Sequence, residues 1–157
     1  MEDPKEKNSS LQQHAEHEWC VCPKCGEKIA LFKKKEQRKK SKILVVDDEI
    51  GIRDLVQSSF DKEECEVLTA ASAEKAFKVI EKQNPQLVLL DIRLPGIDGT
   101  EALKQIKQMN KDIIVILMTA FEDDRNALKC MKLGAAAYVH KPFDVNYIVM
   151  LIQNYLE

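Results

Sequence analysis

Residues 87–99 read LVLLDIRLPGIDG. Four apolar residues in a row end in a carboxylate, Asp91, and Pro95-Gly96 follows shortly after. An apolar run without polar alternation fits a strand covered on both faces. The Pro–Gly pair marks the turn that ends it. An aspartate at the end of so apolar a run raises the question of what its carboxylate faces.

The same pattern repeats on either side. KILVV precedes an amphipathic stretch over 50–60, where Ile52, Leu55, Val56, Ser59 and Phe60 recur at the spacing of one helix face. EVLT (66–69) is a weaker run. Ala73, Ala76, Phe77 and Ile80 give a second helix, with Ser72 placed to cap it. After 87–90 comes a helix from Gly99 to Met109 with Leu103 and Ile106 inward. IIVILM (113–118) is the fourth run, followed by a helix over 123–132 that Gly134 stops. AAYVH (136–140) is the fifth, and Ile148, Leu151, Ile152 and Tyr155 mark the last helix. Strands separated by helices need crossover connections and pair in parallel. The expected fold is a doubly wound α/β sandwich with a five-stranded parallel sheet.

Upstream of this pattern the character differs. Residues 1–10 are polar and expected to be a disordered tail. Residues 11–32 carry a His/Cys cluster. Residues 33–42 (KKKEQRKKSK) hold seven basic residues and one acidic one, and read as a linker. Residues 1–42 carry a net charge of +4 and residues 43–157 a net charge of −6. The basic run lacks aromatic interleaving or a recognised reading module, so nucleic-acid contact is not expected. A hydrophobic content of 45% with 32% charged residues describes a soluble domain. The longest apolar run is too short for a membrane span, and the polar N-terminus is not a secretory signal. A cytoplasmic location is expected, in which five cysteines argue for thiols or metal rather than disulfides.

In doubly wound sheets the site lies at the carboxyl ends of the strands. Those ends here are Asp47-Asp48-Glu49, Asp91, Thr119-Ala120 and His140-Lys141-Pro142. Three carboxylates so gathered repel one another unless a cation intervenes. Mg²⁺ suits such a set, because it takes a few carboxylates together with water and phosphate oxygens. With one ammonium and one hydroxyl, the edge has what a phosphoryl group needs, and a carboxylate can itself accept that group. Glu49 and His140 read as ordinary surface residues, and Cys65 and Cys130 as small, semi-buried ones. A flavin phosphate on this fold would need amides and hydroxyls after the first strand. The acidic residues standing there would repel it.

VVDDE, LLDIRLPGIDG, ILMTA and YVHKPF, in this order and spacing, resemble the receiver domain of two-component response regulators. The resemblance spans residues 42–157 and implies the flavodoxin-like strand order 2-1-3-4-5. It implies that Asp91 is the phosphoacceptor and that Asp47, Asp48 and Asp91 hold Mg²⁺ with the backbone carbonyl of Arg93. It implies roles for Lys141 as the paired cation and Thr119 as the switch hydroxyl. Tyr138 would be the aromatic that follows Thr119. Lys141–Pro142 resembles the family's cis peptide. The implied partners are a histidine kinase and a histidine phosphotransferase, with docking through Ile50, Gly51, Ile52, Leu55, Pro142 and Phe143. DEIGIRDLV, MTA and KPFDV, with a chain that stops after the fifth helix, resemble the single-domain regulators of sporulation phosphorelays.

His14, His17, Cys20, Cys22 and Cys25 form the N-terminal cluster. CPKCG is one half of a zinc-knuckle pattern, with no second CxxC to complete it. Two ligands would have to come from His14, His17 and Cys20, giving a Cys2His2 or Cys3His site for Zn²⁺. The alternative function is a non-catalytic receiver scaffold serving this zinc-dependent interaction module.

Overall fold

The computed structural model describes residues 18–21, 28–31, 40–62, 64–120 and 124–157. The chain divides into two units, Met1–Arg38 and Lys39–Glu157. In the first, β1 (Glu18–Val21) and β2 (Lys28–Leu31) pair antiparallel, with Val21 opposite Lys28 and Glu18 opposite Leu31. His14, His17, Cys22 and Cys25 lie outside the described residues, and of Cys20 only the backbone, within β1, is described.

The second unit alternates strand and helix five times. The strands are β3 (Ser41–Val46), β4 (Cys65–Ala70), β5 (Leu87–Asp91), β6 (Ile114–Ala120) and β7 (Ala137–Lys141). The helices are α1 (Ile50–Ser58), α2 (Ala73–Gln83), α3 (Gly99–Met109), α4 (Asp124–Lys132) and α5 (Val145–Leu156). The sheet order is β4-β3-β5-β6-β7 and all four pairings are parallel. That is the doubly wound order 2-1-3-4-5. The first strand starts at Ser41, inside the stretch read as linker, where the Ser41 amide donates to the Glu64 carbonyl.

The continuous apolar runs follow from the two covered faces. Side chains alternate across a strand, so each run feeds two cores. Leu44, Val46, Val88, Leu90, Val115 and Leu117 pack on one face with α2 and α3 residues such as Ile80, Leu103 and Ile106. Ile43, Val45, Leu87, Leu89, Ile116 and Met118 pack on the other with Val56, Ile148 and Ile152 of α1 and α5. Every residue of β5 is buried. Full burial of each large aliphatic side chain stabilises the fold by about 1.5–3 kcal/mol before entropy is counted.

The helix boundaries have local causes. The Ser72 hydroxyl accepts from the Lys75 amide, Asp98 from Thr100 and Asp144 from Asn146, each satisfying a donor at a helix start. Gly134 ends α4 at φ +100°, a conformation that favours glycine. Leu55, which shares the apolar spacing of 50–60 and is also expected at the docking surface, is exposed, as is Tyr155 of the last helix. The buried stripe of α1 is narrower than its periodicity suggested, and the Tyr155 hydroxyl reaches the Ala136 carbonyl at 3.0 Å.

Candidate functional site

Four strands deliver their carboxyl ends to one sheet edge. Asp47 follows β3 directly, Asp91 ends β5, Thr119 lies near the end of β6 and Lys141 ends β7. Asp47, Asp91 and Thr119 are the buried polar residues among those described. Asp48 is exposed. Carboxylate oxygens of Asp47, Asp48 and Asp91 all lie within 4.8 Å of one another.

Lys141 ties the two buried carboxylates together. Its Nζ is 2.7 Å from Oδ2 of Asp91 and 2.7 Å from Oδ2 of Asp47. The remaining oxygen of each aspartate turns back on its own chain. Oδ1 of Asp47 accepts from the Glu49 amide at 2.9 Å, and Oδ1 of Asp91 from the Arg93 amide at 2.9 Å. Both are Asx turns, which re-aim the backbone at a strand end. The Lys141–Pro142 peptide is cis.

The electrostatics follow from crowding. Burial pushes the Asp47 carboxyl above the ordinary aspartate range, and the bonds to Lys141 and the Glu49 amide reduce that shift without cancelling it. Burial pushes the Lys141 ammonium down, but its hydrogen bonds to Asp47 and Asp91 outweigh this and hold it above the ordinary lysine value. One ammonium thus faces three carboxylates. Hard oxygen donors in excess of positive charge fit a small divalent cation such as Mg²⁺.

Thr119 is buried and its hydroxyl donates to the Ala120 carbonyl at 3.0 Å. Tyr138 stands 38% exposed, edge-on to the His140 ring at 5.4 Å between centroids. Of the residues expected at a docking surface, Ile50 is 66% exposed and Leu55 42%, and Gly51 and Pro142 are also exposed. Ile52 and Phe143 are half-buried against the core under α1 and α5. Glu49, read as a surface residue, is 66% exposed, and its Oε1 comes within 3.7 Å of Lys141 Nζ. One residue beside the site escaped the sequence reading. Arg53 Nη1 donates to the carbonyls of Asp47 at 2.7 Å and Asp48 at 3.0 Å. A charged residue at a helix start reads as a solvated one, so it carried no signal.

Residues 43–153 match the profile of the response regulator receiver domain. The chain belongs to the response regulator receiver family. Over 115 residues it is 41% identical to Sporulation initiation phosphotransferase F of Bacillus subtilis, covering 73% of this chain and 93% of that protein. Over 117 residues it is 34% identical to the regulatory protein AtoC of Escherichia coli, covering 74% of this chain but only 25% of that one. The receiver domain of NtrX from Brucella abortus superposes with a TM-score of 0.68 at 34% identity, covering 73% of this chain and 97% of that domain. A CheY-like receiver domain protein from Methanospirillum hungatei gives 0.71 at 30% identity, covering 75% of this chain and 94% of that one. The family's five-stranded parallel sheet and this one coincide. Among the described residues, no helix is long and apolar enough to cross a membrane.

Proposed function

We propose that this receiver accepts a phosphoryl group on Asp91 from the histidine of a kinase and hands it on to the histidine of a phosphotransferase. The observation that carries this reading is the position of Asp91 Oδ2, 2.7 Å from the Lys141 ammonium and amid two further carboxylates. In the transfer, Oδ2 of Asp91 attacks phosphorus as the phosphorus–nitrogen bond breaks, and the electron pair stays on the leaving imidazole. Lys141 neutralises charge gathering on the phosphoryl oxygens. The Thr119 hydroxyl turns from the Ala120 carbonyl to donate to the bound group, which makes Thr119 the switch residue and Tyr138 the side chain that responds. Asp47, Asp48 and Asp91, with the Arg93 carbonyl, are the ligands proposed for Mg²⁺, which would supply positive charge at the phosphoryl oxygens.

Support for relay comes from likeness: the chain is 41% identical to the sporulation phosphotransferase over 93% of that protein. Ile50 and Leu55 on α1, with Gly51 and Pro142, form the proposed docking surface, and Ile52 and Phe143 support it from beneath. In this reading the protein works in the cytoplasm, where its kinase and phosphotransferase partners would meet it.

The test is intact mass after incubation with acetyl phosphate and Mg²⁺, for wild type and Asp91→Asn. One phosphoryl group on wild type alone is the expected result. No addition to a folded wild type would sink the reading and favour a scaffold serving the N-terminal unit.

For that unit we propose a structural Zn²⁺ site made of Cys22, Cys25 and two of His14, His17 and Cys20. The pairing of β1 with β2 supports it, because Val21 opposite Lys28 closes the base of the connection that carries CPKCG. So small a unit gains from a metal staple. Native mass spectrometry after purification without chelator should find one zinc per chain, and a zinc-free mass would reject the site.

A further inference from the structure

We propose that Arg53 is a positioning residue for the acidic turn, clamping the backbone of Asp47 and Asp48 so that their carboxylates are pre-set for a divalent cation. The inference rests on the reading of Asp47 and Asp48 as Mg²⁺ ligands. Its basis is one nitrogen making two bonds. Nη1 carries two hydrogens, and it donates to the Asp47 carbonyl at 2.7 Å and the Asp48 carbonyl at 3.0 Å. Asp47 is fully buried, where a backbone carbonyl needs a partner. The Asp48 side chain is exposed, so packing does little to place its carboxylate and the backbone must.

The position of Arg53 in α1 strengthens the case. It sits in the opening turns of the helix and its own amide bonds the Glu49 carbonyl at 3.3 Å. A cation near a helix N-terminus opposes the macrodipole. The first turn holds no acidic residue to offset it, and Glu49 makes no side-chain cap bond. Helix formation therefore gains nothing from an arginine here. The gain lies in the turn before the helix, where the guanidinium does for two peptide groups what outer-sphere partners do for metal-ligand side chains.

The deciding variant is Arg53→Lys in the full chain. It keeps the charge but shortens the reach by one bond, so any loss reports geometry rather than repulsion of the cation. Two quantities are read without any phosphoryl donor: the Mg²⁺ dissociation constant by calorimetry, and amide hydrogen exchange in metal-free protein. The expected result is a dissociation constant weakened on the order of tenfold. Exchange should accelerate at Glu49, whose amide bonds Asp47 Oδ1, and stay unchanged along Ile43–Val46 and Leu87–Leu90. An unchanged dissociation constant overturns the proposal, as does faster exchange spread evenly over the sheet. A wild type that binds no Mg²⁺ overturns the parent reading too, and that outcome is distinct from a binding wild type with an indifferent Arg53→Lys.

Discussion

Lys141 Nζ lies 2.7 Å from Oδ2 of Asp91, across fifty residues of chain and the one strand, β6, that separates β5 from β7. The same nitrogen holds Asp47 on a third strand's end. A single ammonium thus joins the ends of β3, β5 and β7, and its charge is outnumbered by the carboxylates around it.

That imbalance predicts a stabilising mutation inside the site. Burial raises the Asp47 pKa in the folded state above its unfolded value. The stability linked to the protonated form is fully present below the unfolded pKa and is lost as pH rises through the folded one. At neutral pH the ionised group therefore weighs on the fold, while Lys141 keeps Asp91 as a partner if Asp47 is neutralised. Asp47→Asn should raise the urea denaturation midpoint at pH 7. The gain should fade as pH is lowered toward the ordinary aspartate range. An unchanged or lowered denaturation midpoint at neutral pH would contradict this.

A divalent cation should relieve the same repulsion. Roughly a hundredfold excess over the dissociation constant adds about 2.7 kcal/mol to a folded state. Mg²⁺ should accordingly raise the thermal midpoint by several degrees, and a chelator should reverse the shift. Asp48→Asn should remove most of the effect, since it takes one of three clustered carboxylates, and the one not held by Lys141. Scanning calorimetry with and without Mg²⁺ decides the matter.

Gly99 predicts a steric failure. A Cβ there would meet the Ile92 backbone, 2.5 Å from its Cα and 2.6 Å from its carbonyl oxygen. That oxygen accepts from the Gly99 amide at 3.0 Å, so the two segments cannot part without losing the bond. Gly99→Ala should cost about 1–3 kcal/mol or more. Because Ile92 adjoins Asp91, its phosphorylation by acetyl phosphate should slow as well. Urea denaturation and the acetyl phosphate rate would both have to be near wild type to refute this.

Cys65 predicts an alkaline limit. Burial, with a smaller push from Glu64, raises its thiol pKa to about 11. Its folded pKa thus exceeds the unfolded one, and the linked stability disappears as pH climbs from the ordinary thiol range to about 11. Cys65→Ala should flatten stability over that window. Denaturation midpoints of the two proteins that fall in parallel would rule the effect out.

The sheet was legible because burial on both faces leaves no polar residue in a run, as in LVLL and IVILM. Asp47, Asp91, Thr119 and Lys141 were legible because topology alone brings strand ends together. Surface helices were less so. The periodicity that includes Leu55 does not reveal where the buried stripe stops. Arg53 stayed hidden because its contacts run to backbone carbonyls, which leave no pattern in sequence. The strands EWCV and KIAL were missed because four residues are too few to establish a period.

The two Asx turns have a regiochemical consequence. In a free aspartate the carboxylate oxygens exchange by rotation and no reagent can tell them apart. In Asp91 one oxygen is engaged by the chain two residues downstream and the other faces the ammonium. The fold has made the two oxygens of a symmetric functional group inequivalent: one rests against a neutral amide of its own chain, the other against a cation from another strand.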